Sequence, residues 1–352
     1  MYSMKRWLLI LLSIAVLAAG GFALWVRHEL RQPLSHTKAN DYIEIPRGSS
    51  PEAIAAKLVN EGVLRKKWPL LVYIKLTGSA RSIKAGDYRF PSPITPLGVL
   101  RKLEEGEQRL SRLTIVEGWT RWDIAASLTH VEELHLQDAD TALALMDDTG
   151  GIRDIDPSAK NLEGYLFPAT YNFPPDTQPA AVVAGMVKRF RQEWTPERAA
   201  RARELNLTPR QIVTIASLVE TEAKLKEERP LIASVIYNRL QRGTALGIDS
   251  TIVYASKLAG KWRNDGRVYQ SDVNRRSPYN TRLYIGLPPG PIGSAGESSI
   301  DAALNPAATH YLYYVRDPSR DDGAHNFYTN GADFEKGVQA LRAWERTRDA
   351  AN

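Results

Sequence analysis

Residues 208–224 read TPRQIVTIASLVETEAK, and this stretch decides how the second half of the chain folds. Thr208, Pro209 and Gln211 form a capping box with proline at the first helical position. From Ile212 onward, apolar residues recur at the spacing of a helix with one buried face, and hydroxyl side chains at 214, 217 and 221 lie on the opposite side. The sequence therefore predicts a helix over 208–224 that packs its apolar face into a core.

Two glutamates fall inside the apolar arc of this predicted helix. At about 100° per residue from Ile212, Glu220 falls at about 80°, between Ala216 and Val213, and Glu222 falls at about 280°. Burial of a carboxylate costs several kcal/mol unless the group is paired or keeps its proton. Because burial also raises the pKa, such a group is a usable general acid near neutral pH. The pattern makes Glu220 a candidate catalytic acid.

The alternative for both carboxylates is that the last turn of the helix emerges from the core. Lys224, Lys226 and Arg229 would then pair with them in solvent. This alternative weighs more for Glu222, which lies nearer the helix end, and the pattern alone leaves it open for Glu220.

Composition and motif content narrow the function classes. The chain has 352 residues and a formal net charge of +6. Half of that charge comes from the first 32 residues, so the remaining body is too weakly basic to indicate nucleic-acid binding. The sequence has no cysteine, which excludes disulfides, thiolate metal sites and a cysteine nucleophile. Its six histidines lack metal-ligand spacing and no phosphate-binding glycine motif occurs, so we expect neither a metal nor a cofactor.

An uncharged, mostly aliphatic run of 20 residues, Trp7 to Val26, lies near the N-terminus. At about 1.5 Å per residue, a helix of this length spans the roughly 30 Å of a bilayer core. We expect residues 1–32 to be a cytoplasmic tip and a single-pass anchor in the cytoplasmic (inner) membrane, with the rest of the chain on the extracytoplasmic, periplasmic side. The alternative is a signal peptide cleaved after Ala18, which the length of the apolar run disfavours.

Residues 32–40 are a polar linker, and a small β-α subdomain is predicted over 40–106. Its elements are an extended piece at 42–46, helices at 51–60, 67–76 and 95–105, and a strand at 86–90. Residues 43–58 align with 113–128 at six identical positions of 16, which indicates two related strand–turn–helix units. The alternative is that any two such units look alike. The first unit resembles the LysM-type glycan-binding module.

The second half of the chain is helix-rich, and we expect a catalytic domain over 111–350. Helices are predicted at 137–147, 177–194, 195–205, 208–224, 229–242, 297–304 and 332–347. Loops rich in aromatic residues, proline and glycine lie between them, at 163–173, 277–281 and 286–292. Two strands at 311–316 and 325–329 are separated by turn residues and predict a short antiparallel hairpin. The fold class is therefore α+β.

Eight motifs carry a family resemblance that covers nearly the whole chain. They are LEGYLFPATY (162–171), ASLVETEA (216–223), VIYNRL (235–240), LGIDSTIVYA (246–255), SPYNT (277–281), GLPPGPI (286–292), YLYYV (311–315) and HNFYTN (325–330). In this order they resemble the YceG/MltG family of endolytic murein transglycosylases. The predicted anchor and the LysM-like subdomain are also similar to that family.

The resemblance implies a membrane-anchored enzyme that cuts nascent peptidoglycan within its glycan strands. The bond cleaved would be the one between N-acetylmuramic acid (MurNAc) and N-acetylglucosamine (GlcNAc). The product would carry a 1,6-anhydro-MurNAc end, and the cut would terminate or trim the strand. The implied partners are peptidoglycan glycan strands and the membrane, with peptidoglycan synthases as further candidates and no nucleic acid.

The resemblance also assigns site residues. Its catalytic glutamate falls on Glu220, while Glu222 is a family feature without an assigned role. Candidate substrate-binding residues are Glu163, Tyr165, Asn238, Asp249, Tyr279, Asn280 and Thr281. The sequence departs from the family pattern at Gly247 and Ser250, where a glutamine and a proline are common, so a substrate contact by that glutamine is missing here.

Two other functions stay open from the residues alone. A muramidase would hydrolyse the same bond and needs a second carboxylate committed to water or to the sugar, a role open to Glu163 or Asp249. A non-catalytic glycan-binding scaffold of the division or elongation machinery needs no acid at all, and a buried Glu220 argues against it.

Overall fold

The computed structural model describes residues 2–106 and 109–351, and the chain divides into two compact units, Met1–Leu110 and Ser111–Asn352. Both units combine helices with short antiparallel strand pairs. The predicted α+β class is confirmed.

The first unit begins with the long apolar helix. Its elements are α1 (Tyr2–Arg31), β1 (Ile43–Ile45), α2 (Pro51–Asn60), α3 (Trp68–Thr77), β2 (Gly86–Tyr88) and α4 (Pro96–Glu105). Strands β1 and β2 pair antiparallel, with Ile43 opposite Tyr88. Ser50 caps α2 by accepting a hydrogen bond from the Ala53 backbone N–H at 3.2 Å. The core of the unit lies between this strand pair and helices α2, α3 and α4.

Helix α1 is exposed along most of its described length. Among the described residues, one helical segment, Ile10–Arg31, is long and apolar enough to cross a membrane. Near its C-terminal end, Val26 and Leu30 are buried within the first unit. The predicted polar linker is held in place, because Leu34 and Ile94 exchange two backbone hydrogen bonds of 2.8 and 3.0 Å.

The second unit has one strand pair near each of its ends and helices throughout. Its elements are β3 (Ser111–Thr114), α5 (Arg121–Thr129), α6 (Ala139–Leu145), β4 (Thr170–Phe173), α7 (Pro179–Glu193), α8 (Pro196–Glu204), α9 (Pro209–Glu222), α10 (Arg229–Gln241), α11 (Asp249–Leu258), α12 (Gln270–Val273), α13 (Glu297–Leu304), β5 (Tyr313–Arg316), β6 (His325–Tyr328) and α14 (Gly331–Ala351). The seven predicted helices and the predicted β5–β6 hairpin are confirmed. Strand β4 pairs with β3 where a loop was expected, and α11 was not predicted.

Helix α9 is buried on every side over Ile212–Val219. The expected polar side is therefore wrong: Thr214 and Ser217 lie in the core and their hydroxyls donate to backbone carbonyls one turn earlier. Ser217 also accepts a hydrogen bond from the Ile292 backbone N–H at 3.1 Å. Helices α13, α10, α8 and α11 all contact α9. The predicted helix thus forms the centre of the unit.

The repeated segments have the same local structure. In each, a strand leads to a glycine in the left-handed region, Gly48 at φ 79° and Gly118 at φ 80°. A hydroxyl residue then caps the following helix, Ser50 for α2 and Thr120 for α5. A residue with a β-carbon is strained at such a φ, so the two glycines keep the same turn available in both segments.

Candidate active site

Glu220 lies in the last turn of α9, and its side chain is only 4% exposed. One carboxylate oxygen accepts a hydrogen bond from Arg229 Nη2 at 2.6 Å. The other accepts one from the Gly296 backbone N–H at 2.8 Å. The carboxylate therefore stays inside the unit, which decides between the two alternatives left open by the sequence. Of the three cations weighed as solvent partners, Arg229 does pair with Glu220, but in the interior.

Arg229 begins α10 and its side chain is 5% exposed. Besides Glu220, it donates to the Ser298 hydroxyl through Nη1, and Nη2 lies 3.5 Å from a Glu117 carboxylate oxygen. Its Nε is buried without a hydrogen-bond partner. Arg229 thus joins two carboxylates, one enclosed and one about half exposed.

Backbone contacts fix the loop that carries Gly296. The Gly118 N–H donates to Ser294 O at 2.7 Å, and the Ser294 N–H donates to Trp119 O at 2.8 Å. A β-carbon on Gly296 would lie 2.2 Å from a Glu117 carboxylate oxygen, so a larger residue there would displace the Glu117 side chain. The segment after β3 therefore aligns the N–H group that binds Glu220.

Burial raises the pKa of Glu220 above its ordinary value. The hydrogen bond from Gly296 and the positive charge of Arg229 act in the opposite direction, and the negative charge of Glu117 adds to the rise. A carboxyl group in this setting holds a proton at higher pH than in water. Once the group has lost that proton, the Arg229 guanidinium and the Gly296 N–H donate to its two oxygens.

Glu222 takes part in a different set of contacts. The Tyr314 hydroxyl donates to it at 2.7 Å, and Ser250 Oγ lies at 3.4 Å. Burial raises its pKa as well. The expectation that Glu222 emerges into solvent is therefore wrong, because strand β5 and the start of α11 enclose its carboxylate. The two glutamates of α9 reach different neighbours, in agreement with their predicted angular separation.

Glu163 is a third buried carboxylate, 4% exposed. Its oxygens accept the Arg121 backbone N–H at 3.2 and 3.3 Å, and the Tyr254 hydroxyl donates at 3.1 Å. Burial raises the pKa of Glu163 to about 7. This side chain therefore changes its charge close to neutral pH.

Glu163 lines a cavity of about 330 Å³ together with Tyr254, Tyr279, Arg210 and Lys160. The rings of Tyr254 and Tyr279 lie 4.8 Å apart. Arg210 precedes Glu220 by ten residues on α9, which is about 15 Å along the helix axis. The cavity is thus placed toward the other end of α9 from the buried Glu220.

Three of the predicted substrate-binding residues are buried. Tyr165 is buried and its hydroxyl donates to Asp156 at 2.7 Å. Asn280 is buried and its amide donates to two backbone carbonyls, both at 2.9 Å. The buried Thr281 hydroxyl lies 2.9 Å from that of Thr251. These polar atoms are hydrogen-bonded within the protein and support the loops, and the Tyr165 side chain also lines the cavity beside Glu163.

The remaining predicted residues lie at loop junctions. The Asn238 amide donates to Thr309 O and to Tyr311 O at 3.0 and 2.9 Å, which holds the chain before β5. Asp249 is exposed and pairs with Arg282 at 2.6 Å. Tyr279 is half-buried beside the Glu163 cavity.

Both positions that depart from the family pattern have a structural role. Gly247 has φ +67°, a conformation that favours glycine. Ser250 accepts a hydrogen bond from Thr221 Oγ1 at 2.8 Å and lies beside Glu222. Ser250 therefore links the start of α11 to the end of α9.

Sequence reasoning missed most of the residues that surround Glu220. Gly296, Ser298 and Glu117 were not singled out, and Arg229 was considered only as a partner in solvent. The available signal was weak: Arg229 stands at the start of a predicted helix shortly after the acid. Within residues 2–106 and 109–351, no three His, Asp or Glu side chains form a set that would hold a metal.

Comparisons with known proteins agree with the motifs. The model of the YceG-like family matches residues 43–340. An endolytic murein transglycosylase from Bacillus subtilis (strain 168) is 34% identical over 85% of each chain. One from Streptococcus pneumoniae (strain D39) is 30% identical over 93% of this chain and 63% of that protein. The crystal structure of a YceG-like protein from Listeria monocytogenes, 29% identical, aligns with a TM-score of 0.58 over 85% of this chain and 99% of that one. The chain belongs to the YceG-like family.

Proposed function

We propose that this chain is an endolytic lytic transglycosylase that cleaves the MurNAc–GlcNAc bond of peptidoglycan and leaves 1,6-anhydro-MurNAc ends. Two relatives that carry the name endolytic murein transglycosylase support the activity. The observation that carries the proposal is the enclosed Glu220 carboxyl group, with its raised pKa and its fixed donors.

In the first half of the reaction, protonated Glu220 donates its proton to the glycosidic oxygen as the bond from C1 of MurNAc breaks. In the second half, the ionised carboxylate takes the proton from the C6 hydroxyl of the same MurNAc, whose oxygen forms the new bond to C1. The carboxyl group is protonated again at the end of the cycle, and no water is consumed. The nucleophile belongs to the substrate, so one acid–base group is sufficient.

Arg229 and Gly296 suit this cycle because each binds one oxygen of Glu220. They stabilise the carboxylate after it has donated its proton, while burial keeps the protonated form accessible beforehand. Glu117 counters part of the charge of Arg229 and so favours the protonated form. The opposing influences leave the pKa of Glu220 above its ordinary value, which a general acid needs.

The geometry keeps one alternative open, a hydrolytic muramidase. Glu163 is a second enclosed carboxyl group, has a pKa of about 7 and lines its own cavity. If Glu163 positioned a water molecule, the new MurNAc end would gain that water. We assign Glu163 and Tyr279 to substrate binding in this cavity instead, because the family resemblance needs no second catalytic carboxylate. Asp249 is exposed and paired with Arg282, so it is a weaker candidate for either role.

The cellular setting is part of the same proposal. Helix α1 would hold the chain in the cytoplasmic membrane with the second unit, the proposed catalytic domain, on the extracytoplasmic side. The strand–turn–helix order of residues 40–106 supports a LysM-like subdomain that contacts glycan. Peptidoglycan synthases remain proposed partners on the family resemblance alone.

Digestion of purified cell-wall sacculi tests the activity. We expect the full chain to release products that end in 1,6-anhydro-MurNAc, each lighter by one water than a hydrolysed end. Glu220→Gln should remain folded with a lowered Tm, because Arg229 keeps its charge, and should release almost no product, because Gln cannot donate and recover a proton. If digestion in ¹⁸O-water labels the new MurNAc ends, water is the nucleophile and the muramidase alternative is correct. If Glu220→Gln keeps more than about a tenth of wild-type turnover, Glu220 is not the acid.

A further inference from the structure

The end of α1 and helix α3 enclose an apolar groove within the first unit. Its volume is about 630 Å³. The apolar residues that line it include Phe22, Ala23, Val26, Val72, Leu76 and Leu97. Leu76 is 81% exposed. The groove therefore continues the apolar surface of α1 onto α3.

The length of the apolar run indicates how deep this groove lies in the bilayer. If Trp7 to Val26 fill the bilayer core, Phe22 lies four residues, or about 6 Å, inside its boundary. The Trp68 ring at the start of α3 lies 6.2 Å from that of Phe22, and Val72 and Leu76 line the groove along the same stretch of α1. Helix α3 then reaches the level of the lipid acyl chains.

Aromatic residues mark the same level. The rings of Trp25 and Trp68 stack at 4.5 Å, and the Phe22 ring lies 6.2 Å from that of Trp68. Tryptophan is enriched where the bilayer core meets the headgroups, because its ring is apolar and its N–H is polar. The stack joins α1 to the start of α3 at this boundary.

Cations lie just beyond the aromatic stack. Arg27 and Arg31 line the groove one and two turns after Phe22 and Ala23, at the level of lipid phosphates. Arg65, Lys66 and Lys67 are exposed immediately before Trp68. An apolar groove bordered by tryptophan and then by cations matches the order of acyl chain, interface and phosphate in a phospholipid leaflet.

We propose that phospholipid acyl chains of the bilayer fill this groove and that α3 lies in the membrane interface. The first unit would then be seated on the membrane, because α1 continues into it through the buried Val26 and Leu30. Leu34, three residues after the end of α1, pairs with Ile94, so no flexible linker separates α1 from the rest of the first unit. The proposal rests on the proposed membrane anchor and is independent of the glycan chemistry.

The absence of cysteine makes the test direct, because each introduced cysteine carries the only spin label. Three full-length variants are compared in vesicles of phosphatidylethanolamine and phosphatidylglycerol. Leu17→Cys, in the middle of the apolar run, checks the anchor. Leu76→Cys checks the groove. Leu110→Cys is the matched control, an exposed leucine of the same unit that does not line the groove. Accessibility of each label to oxygen and to a water-soluble nickel chelate is measured by electron paramagnetic resonance.

We expect the label at 17 to be deep, the label at 76 to be open to oxygen and shielded from nickel at a shallower depth, and the label at 110 to be open to nickel. A deep label at 17 with equal nickel access at 76 and 110 overturns the groove proposal and leaves the anchor intact. A label at 76 shielded from both reagents indicates a protein contact and also overturns it. Shielding at 110 as well as 76 indicates general adsorption of the unit and likewise overturns the groove proposal. A label at 17 that is not deep removes the anchor and the proposal together.

Discussion

Replacing Arg229 by Gln should move the pH dependence of glycan cleavage to higher pH. Arg229 donates to Glu220 at 2.6 Å, and the two side chains are 5% and 4% exposed. Without the guanidinium, the ionised carboxylate loses its charged partner, so the pKa of Glu220 should rise further above its ordinary value. Because a general acid works in its protonated form, the alkaline limb of kcat/KM, which reports this pKa in the free enzyme, should shift upward.

The same substitution should lower the stability of the fold by an amount that depends on pH. Removing one partner of a buried ion pair costs about 3–5 kcal/mol while the other partner stays charged. A carboxyl group with a raised pKa favours the folded state when protonated, and this contribution is lost as pH rises. The variant should therefore be most destabilised at alkaline pH and approach wild type as Glu220 becomes protonated. At roughly 2–4 °C per kcal/mol for a unit of this size, the alkaline loss in Tm is on the order of 10 °C.

Glu117→Gln is the matched control because it should act in the opposite direction. Its carboxylate raises the pKa of Glu220, so its neutralisation should lower that pKa and move the alkaline limb downward. Glu117 is about half exposed, and we expect a smaller shift than for Arg229→Gln. The assay is release of soluble muropeptides from sacculi across pH 5 to 9, with Tm measured in the same buffers. If the alkaline limbs of the two variants stay where they are in wild type, or both move in the same direction, the electrostatic account of Glu220 is refuted.

Three further variants probe the surrounding structure. Glu163→Gln should retain anhydro product formation within about tenfold of wild type by mass spectrometry. Ionisation of Glu163 should lower the Tm of the wild type as pH rises through about 7, and this decrease should be absent from the variant. Tyr314→Phe leaves Glu222 without its 2.7 Å donor and should lower the free energy of unfolding by about 1–3 kcal/mol in denaturant titrations. Asn280→Ala removes the donor to two backbone carbonyls and should lower the free energy of unfolding by at least as much, with loss of protection in hydrogen exchange confined first to residues 273–281. An unchanged stability for either of the last two would contradict the hydrogen-bonding roles assigned here.

Helical periodicity, a local property, predicted α9 and placed Glu220 in its apolar arc, but it left open whether the last turn of the helix is buried. The partners of Glu220 are not local. Arg229 reaches it only because the chain turns after Ala223, and Gly296 arrives from 76 residues away. No periodicity or cap signals such an encounter, so the pairing could not be read before the fold was known.

The hydrogen-bond partners of several motif residues were not predicted for a related reason. Tyr165, Asn280 and Thr281 are polar or amphipathic and lie in loops, which suggested ligand contacts. In the structure their polar atoms satisfy backbone and side-chain groups that the irregular loops leave without partners. Strand β4 escaped prediction because its pairing with β3 joins residues as far apart in the sequence as Ser111 and Phe173. Long-range pairing of short strands leaves little trace in a single sequence.

The backbone link between Gly118 and Ser294 makes the proposed acid a late product of folding. The donor at Gly296 takes its place only when a segment from the start of the second unit meets one near residue 295. If the part of the chain after the anchor is exported in sequence order, most of it must cross the membrane before these two segments can meet. A stalled or truncated chain would then present glycan with an incomplete site, so the order of export would itself protect the cell wall from premature cutting.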